Sequence, residues 1–316
     1  MSRAGNAARV RMESPTLLDH LLQTSSRTFA LTIPLLNEPT RREVTVAYLL
    51  FRVADSLEDS TRWPRPRKLE ELERLARFLD RPTEAEAARL AAGWAADPPL
   101  DHRGYLELLG EFPEVMRAAA PISPEAWRLV STHTARTCRA MATFVAREEE
   151  GVLHLRDLDD MKDYCYAVAG IVGEMLTELF LLGRKELSEV AASMRRDAAA
   201  FGEALQLVNI LKDRAADAVE GRHYLPRGVD RAEVFALARR DLMTAAGYCA
   251  RLERAGADRG LVAFTALPVL LASATLDRVQ ERGAGAKVTR DEVTAIVAGL
   301  HAALDTGSVG ALVGNG

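Results

Sequence analysis

Apolar residues recur at intervals of three and four along most of the chain, which is the spacing of one face of an α-helix. Pro or Gly separates most of these runs, and the strict alternation of a half-buried strand is almost absent. The clearest helical runs are residues 124–149, 157–182, 186–219, 231–255 and 289–304. No unit of about 20 to 50 residues repeats, which argues against a solenoid. The pattern therefore predicts an all-α fold.

The same pattern predicts one domain. The 316 residues contain no linker rich in Ser, Gly or Pro and no shift in composition that would mark a boundary. We expect a flexible N-terminus at 1–12, one helical domain at 13–305 and a flexible, Gly-rich tail at 306–316. The longest uncharged run, 261–276, is shorter than the roughly 20 residues that cross a bilayer. It predicts a buried helix that lines an apolar pocket, and no transmembrane anchor is expected.

Two helical segments carry a stripe of polar residues through otherwise apolar sequence. The first stripe is Tyr48, Arg52, Asp55 and Asp59, and the second is Gln206, Asn209, Asp213 and Asp217. In each stripe the two Asp residues are four positions apart, so they lie on one face and repel each other. At an effective dielectric near 20 and a separation of about 6 Å, this repulsion is about 3 kcal/mol. A bound cation would remove it.

Spacing alone leaves two interpretations of the stripes open. An amphipathic helix can simply turn its polar stripe to solvent. Two matching stripes instead favour an internal polar cavity across which they face each other. Carboxylate and amide oxygens suit Mg²⁺, which keeps several waters and shares its coordination with substrate phosphates.

Composition and charge narrow the classes of function. With 48% hydrophobic and 27% charged residues the chain is globular, and a net charge of −4 gives no reason to expect a nucleic-acid partner. The cysteines Cys138, Cys165 and Cys249 lack the spacing of a zinc site and fit a reducing cytoplasm. The sequence has neither a dinucleotide-binding Gly-x-Gly-x-x-Gly nor a Walker A loop. A single Glu220-x-x-His223 does not make a di-iron bundle, which needs two such elements.

Two glycines on a predicted helix, Gly170 and Gly173, lie three positions apart. Close packing against another helix would explain them, because glycine lets two backbones approach. Clearance for a long apolar ligand is the other explanation. Both remain open from the sequence.

Five segments spread along the chain form a more specific signature. They are Ser26-Arg-Thr-Phe29, Asp55-Ser-Leu-Glu-Asp59, Tyr164-Cys-Tyr-Ala-Val-Ala-Gly170, Gln206-Leu-Val-Asn-Ile-Leu-Lys-Asp213 and Gly221-Arg-His-Tyr-Leu-Pro226. Together they resemble the squalene/phytoene synthase family of head-to-head prenyl transferases. The resemblance implies an all-α isoprenoid-synthase fold around a central cavity. It also implies an enzyme that condenses two prenyl diphosphates, typically farnesyl diphosphate, with Mg²⁺.

The resemblance also implies roles for individual residues. The implied metal ligands are Asp55, Asp59, Asn209, Asp213 and Asp217. Tyr164, Tyr48 and Arg52 would take part in the chemistry, since aromatic rings stabilise carbocations and a phenol can move a proton to or from the departing diphosphate. Contacts to the substrate are expected from Arg27, Arg52, Gln206, Lys212, Arg222 and Tyr248.

The sequence points in two directions for the product. Residues 266–276 and 286–290 are similar to squalene synthases, in which a basic loop helps to hold NADPH, and Lys287 is the expected cofactor contact. Residues 164–166 and 221–226 instead resemble the branch that forms dehydrosqualene or phytoene without NADPH. We favour squalene, formed through a cyclopropyl diphosphate intermediate.

Two positions depart from the family pattern. Ala216 stands where the second acidic motif usually carries Glu, and Lys212 stands where Arg is common, so a weaker or differently tuned metal site is expected. A helical scaffold that kept the fold and lost the reaction is the alternative of another class, and the intact acidic pairs argue against it. We expect a cytoplasmic protein, or one bound peripherally at a membrane near its lipid-like substrate.

Overall fold

A computed structural model describes residues 16–26 and 28–314. Helices dominate its first half, and most of them begin at a side-chain cap or a proline in the first turn. They are α1 (Leu17–Ser25), α2 (Phe29–Thr32), α3 (Thr40–Glu58), α4 (Arg65–Asp80), α5 (Glu84–Ala96), α6 (Arg103–Gly110), α7 (Phe112–Ala119) and α8 (Pro124–Val145). A short 3₁₀ turn, Ile33–Leu35, follows α2.

The second half is also helical, with two short strands. Its elements are β1 (Leu153–His154), α9 (Leu158–Cys165), α10 (Ile171–Leu181), α11 (Ala191–Val219), β2 (Arg222–His223), α12 (Arg231–Arg254), α13 (Arg259–Arg282), α14 (Arg290–Thr306) and α15 (Val309–Gly314). A π-helical turn, Tyr166–Gly170, joins α9 to α10, and a 3₁₀ turn, Lys185–Leu187, precedes α11. Strands β1 and β2 pair in parallel, with Leu153 opposite Arg222 and His154 opposite His223. The predicted all-α fold is confirmed.

One continuous core of buried apolar side chains links the described helices. Helix α11 packs against α10, α12 and α13, while α3 and α4 pack against α8. The largest fully buried side chains include Trp94, Phe112 and Phe180. Burial of each such side chain stabilises the fold by about 1.5–3 kcal/mol. This packing places α3 and α11, the helices with the polar stripes, around a central cavity.

Glycines allow α11 to pack unusually close to the segment before and within α10. A Cβ on Gly173 would lie 2.0 Å from the carbonyl oxygen of Ala198, and one on Gly202 would lie 2.0 Å from that of Ala169. No side chain fits at such distances. Close packing therefore explains Gly173, and its partner on α11 is Gly202.

Helix α13 contains the long uncharged run and continues through Pro268. Its buried residues include Phe264 and Leu267. Two stretches, Leu158–Leu181 and Arg259–Arg282, are long and apolar enough to cross a membrane by length and composition. Their most apolar windows are 56% and 67% buried among other helices, as expected of core helices.

The segment predicted as a flexible tail, 306–316, includes a helix among its described residues. Helix α15 packs against α12 and α13, with Val309 and Val313 buried four positions apart. The backbone N–H groups of Val309 and Gly310 each donate to the carboxylate of Glu253 at 2.8 Å. A carboxylate at a helix N-terminus accepts hydrogen bonds from the free N–H groups of the first turn and interacts favourably with the helix dipole. The predicted flexible N-terminus, 1–12, lies outside the described residues.

Candidate active site

A polar cavity lies between α3 and the C-terminal half of α11. We call it the acidic compartment. Its walls are Arg52, Asp55, Glu58, Asp59, Tyr164, Val168, Gln206, Asn209, Ile210, Asp213, Asp217, Arg222 and Tyr224. Both predicted stripes contribute to it, so they face one space and are not turned away from each other.

Each wall of the acidic compartment carries cations beside its carboxylates. On the α3 wall, the guanidinium of Arg52 lies 3.2 Å from the carboxylate of Asp55. Arg222 reaches across from β2 and its Nη1 lies 3.2 Å from Asp59. On the α11 wall, the Lys212 ammonium lies 3.2 Å from Asp213. These pairs reduce the repulsion within each stripe that the sequence predicts.

Two aspartates of the acidic compartment, Asp55 and Asp217, have raised pKa values. Burial raises the pKa of Asp55 to about 6, with Arg52 opposing the shift and Asp59 adding to it. Burial likewise raises the pKa of Asp217 to about 6, against the effect of Arg222. Asp213 on the same helix and Asp59 on the opposite wall both add to that rise. The two walls are therefore close enough for their charges to interact.

The donor set of the acidic compartment fits Mg²⁺. Asp55, Asp59, Asn209, Asp213 and Asp217 offer carboxylate and amide oxygens, the ligands that hard cations prefer. In the described part of the chain, no three Asp, Glu, His or Cys side chains come close enough to hold an ion by themselves. A cation here would need phosphate oxygens and water to complete its coordination, which is the usual situation of Mg²⁺.

A second, apolar cavity continues from the acidic compartment. We call it the apolar compartment. Its walls are Phe29, Ile33, Val44, Tyr48, Phe51, Arg52, Asp55, Val168, Ala169, Val172, Gly173, Met175, Leu176, Phe201, Gly202, Leu205, Gln206, Asn209, Phe264 and Pro268. Arg52, Asp55, Val168, Gln206 and Asn209 line both compartments. The combined cavity suits a ligand with an anionic head and a long hydrocarbon tail.

Arg52 stands at the junction of the two compartments. Its Nη2 donates to the Tyr48 hydroxyl at 3.3 Å, and its guanidinium lies 5.2 Å from the ring centre of Tyr105. Within the described residues, its buried Nε–H has no hydrogen-bond partner. A buried donor without a partner costs about 1–3 kcal/mol, so an anionic ligand that accepts from it gains affinity. Tyr48 itself donates to the carbonyl oxygen of Ser25 at 3.0 Å.

Two stacked tyrosines form another side of the acidic compartment. The rings of Tyr164 and Tyr224 are 4.6 Å apart at an interplanar angle of 22°, and Phe144 packs edge-on against Tyr164 at 5.1 Å. Burial raises the pKa of both phenols well above the ordinary value, and the carboxyl groups of Glu58 and Asp59 add to each shift. Both hydroxyls therefore keep their proton near pH 7 and can donate a hydrogen bond.

Two predicted contact residues, Tyr248 and Lys212, are not among the residues that form the cavity walls. The Tyr248 hydroxyl is buried against Thr177 Oγ1 at 2.9 Å, and Tyr248 lines neither compartment, so its predicted substrate contact is not supported. Its ring packs behind Phe201, which does line the apolar compartment. Lys212 lies at the rim, where its ammonium donates to Asn209 Oδ1 at 3.1 Å. Arg27 lies outside the described residues.

Lys287 lies on the exposed loop between α13 and α14. The N–H of Gly285 in that loop donates to the carbonyl oxygen of Lys212 at 2.7 Å. The loop is thereby fastened to the helical turn that carries Asp213. Lys287 thus lies two residues from a contact with the rim of the acidic compartment.

Sequence reasoning missed two wall residues, Glu58 and Tyr224. Glu58 is three positions after Asp55 and lies on the same helical face, a spacing that the stripe analysis overlooked. Burial raises the pKa of Glu58 well above its ordinary value, and Asp59 and Asp55 add to the rise. Tyr224 is two positions after Arg222, and the period of two in an extended segment points both into the compartment.

The fold and the cavity define a class of protein: an all-α domain whose central cavity joins an oxygen-rich acidic compartment to an apolar one. The profile of one family, described as squalene/phytoene synthase, matches residues 22–234, more than half of the chain. The chain belongs to the squalene/phytoene synthase family.

Individual relatives agree with this assignment. The squalene synthase of Candida albicans is 29% identical over 212 residues, which cover 66% of this chain and 44% of that protein. That of Saccharomyces cerevisiae is 28% identical over 218 residues, or 68% and 47% of the two chains. The solved structure of TcSQS with the ligand E5700 has a TM-score of 0.76 at 25% identity and covers 93% of this chain and 89% of that chain. The matched region spans less than half the length of these two curated relatives.

Proposed function

We propose that the protein condenses two molecules of farnesyl diphosphate head to head, through a cyclopropyl diphosphate, to squalene, with Mg²⁺ and with NADPH as reductant. The observation that carries the proposal is the continuity of the acidic and apolar compartments, which share five wall residues. A diphosphate head fits beside the carboxylates only with a metal ion, and a farnesyl chain fits the apolar walls. Membership of the family supports the same reaction.

The wall residues of the acidic compartment bind the diphosphate head group. Arg52 and Arg222 offer forked donors to phosphate oxygens, and the Arg52 Nε–H has no hydrogen-bond partner among the described residues. Asp55, Asp59, Asn209, Asp213 and Asp217 would hold Mg²⁺ between them and the head group. The metal, when bound, supplies the positive charge that stabilises diphosphate as the allylic C–O bond breaks.

The allylic carbocation that remains lies at the junction of the compartments. The rings of Tyr164 and Tyr224 line the acidic compartment, and aromatic rings attract cations. The apolar walls exclude water, which would otherwise quench the cation to an alcohol. The double bond of the second farnesyl group can then attack, and the proton lost on closing the cyclopropane passes to the departed diphosphate by way of the Tyr164 or Tyr48 hydroxyl.

The second ionisation and the reduction need a cofactor site near the rim. NADPH, when bound, would supply the hydride that reduces the last carbocation. The Gly285 N–H, two residues before Lys287, bonds to the Lys212 carbonyl oxygen, and the ammonium groups of the two lysines suit the phosphates of a dinucleotide. A cytoplasmic location, with peripheral contact to a membrane that holds the product, is part of the proposal.

Incubation of the protein with farnesyl diphosphate and Mg²⁺, with and without NADPH, tests the proposal by identification of the products. Squalene that forms only with NADPH supports it. Dehydrosqualene in both reactions would assign the protein to the carotenoid-forming branch. Formation of phytoene from geranylgeranyl diphosphate would show that the substrate is the longer prenyl diphosphate. If the protein consumes neither diphosphate, the proposed enzymatic activity is wrong. The alternative of a helical scaffold without a reaction would then be favoured.

A further inference from the structure

We propose that Arg136, Tyr166 and Glu174 form a positioning triangle that holds the π-helical turn Tyr166–Gly170 and so aims Tyr164 into the acidic compartment. The inference rests on the proposed function, because Tyr164 acts there. None of the three side chains is among the described residues that line either compartment. They act through Tyr164 and do not touch the substrate.

The triangle is a closed ring of hydrogen bonds outside the cavity. Arg136 of α8 donates through Nη1 to Glu174 Oε2 at 2.9 Å and through Nη2 to the Tyr166 hydroxyl at 2.9 Å. The Tyr166 hydroxyl donates in turn to Glu174 Oε1 at 3.0 Å. Tyr166 is the first residue of the π turn and Glu174 lies in the first turn of α10. The ring therefore bridges the π turn from end to end and anchors it to α8.

The winding of the π turn decides where Tyr164 points. The Ile171 N–H donates to the carbonyl of Tyr166, five residues earlier, so the turn holds one residue more than an α-helical turn. Each residue of an α-helix rotates the chain by about 100°. If the turn returned to α-helical winding, Tyr164 would rotate by about that angle relative to α10. Its stacking on Tyr224 would then be lost.

Tyr166 also packs directly on the backbone of the turn. A Cβ on Gly170 would lie 2.6 Å from Tyr166 Cδ2 and 2.9 Å from Glu203 Oε1. The tyrosine ring and α11 thus enclose the last residue of the turn between them. Single π turns are rare and occur often at functional sites, which is consistent with a turn that its surroundings hold in place.

Helix α10 provides a matched control one turn further on. Glu178 pairs with Arg195 of α11 at 2.6 Å, and its side chain is 31% exposed, compared with 30% for Glu174. Both residues are glutamates on α10 that pair with an arginine of a neighbouring helix. Glu178 has no hydrogen bond to the π turn among the described contacts. Glu174→Gln and Glu178→Gln therefore remove comparable ion pairs, and only the first one touches the triangle.

The test compares the Tyr166→Phe, Glu174→Gln and Glu178→Gln variants with the wild type. Measurements are kcat and KM for farnesyl diphosphate, the melting temperature, and hydrogen exchange of the backbone amides of residues 164–171. We expect Tyr166→Phe and Glu174→Gln to lower kcat about tenfold with KM within about twofold, because misplacement of a group that acts in the transition state affects kcat most. Amide exchange should rise in both variants, and Glu178→Gln should leave kcat and exchange unchanged.

Unchanged kcat in Tyr166→Phe and Glu174→Gln would overturn the inference, and so would an equal fall of kcat in Glu178→Gln. A fall explained entirely by a lower melting temperature would also overturn it, because the triangle would then serve stability alone. If the wild type does not consume farnesyl diphosphate, the proposed function fails. The exchange measurement still reports in that case whether the triangle holds the turn, so the two failures are distinguishable.

Discussion

At one end of the central cavity, Arg52, Asp55, Asp59 and Arg222 form ion pairs at 3.2 Å, and carboxyl pKa values are shifted upward by burial. At the other end, the walls are side chains such as Phe201 and Phe264. The acidic compartment gathers buried charges, and the Arg52 Nε–H has no hydrogen-bond partner among the described residues. In the apolar compartment, helices α10 and α11 approach each other as closely as backbones allow.

The difference separates two kinds of sensitivity to mutation. Substitution in the acidic compartment should change ligand binding and turnover while the helices remain, because its polar side chains face the cavity and do not pack the helices together. Substitution at the close helix contact beside the apolar compartment should change folding first, because no space exists for extra atoms. The following predictions test this division.

The largest effect is expected from Asp55→Asn and Asp213→Asn. The first substitution removes a carboxylate from the α3 wall, and the second removes one from the α11 wall. We expect each to lower kcat by about 10²–10³ or more, because charge stabilisation of the departing diphosphate is lost. Helical content, measured by circular dichroism, should be unchanged. Asp277→Asn is the matched control, since Asp277 pairs with Arg239 at 2.8 Å away from the cavity walls. Undiminished turnover in either cavity variant would contradict the assigned metal role.

A smaller effect, on stability, is expected from Gly202→Ala. The new Cβ would lie 2.0 Å from the carbonyl oxygen of Ala169 in the π turn, so α11 and the π turn must separate, at a cost of about 1–3 kcal/mol. Urea unfolding measures this loss. Gly299→Ala in α14 is the control, because a Cβ there meets nothing within 4 Å, and alanine should stabilise that helix by about 0.5–1 kcal/mol. Equal stability of the two variants would disprove the close contact.

The smallest effect is a pH dependence of stability. The pKa values of Asp55 and Asp217 are about 6 in the folded protein, above the value of an unfolded Asp. The stability that these groups contribute is therefore complete below about pH 4 and is lost as the pH rises through 6. Mg²⁺ binds the ionised form, so the increase in melting temperature that it causes should be larger at pH 7.5 than at pH 5.0.

At a free Mg²⁺ concentration ten times its Kd, the stabilisation should be about 1.4 kcal/mol. KCl at matched ionic strength is the control for screening. An increase in melting temperature with Mg²⁺ that is the same at both pH values would mean that these carboxylates do not bind the ion.

The sequence predicted the all-α fold and the two stripes because both depend on local periodicity. Asp55 and Asp213 stand in long, regular helices, where a period of 3.6 residues determines the direction of every side chain. The helical period could not predict whether the Tyr248 side chain faces the cavity. Its direction depends on how α12 is rotated against α10 and α11, which is a property of tertiary packing.

The C-terminal tail shows another limit of local reasoning. Helix α15 has six residues and includes Gly310 and Gly314, so its own propensity is weak. Burial of Val309 and Val313, and the contact with Glu253, stabilise it. None of these partners is near in the sequence. The π turn is likewise held by residues from α8 and α10, and its motif gave no sign of the extra residue in the winding.

The contact between Glu253 and α15 has a practical consequence for anyone who prepares this protein. Val313 and Gly314 of α15 border a groove between α12 and α13. The tail is rich in glycine and could be taken for a dispensable segment. Removal of the residues after 306 would expose apolar surface and would leave the Glu253 carboxylate without its backbone donors. Shortened forms of the protein should therefore keep residues 307–314.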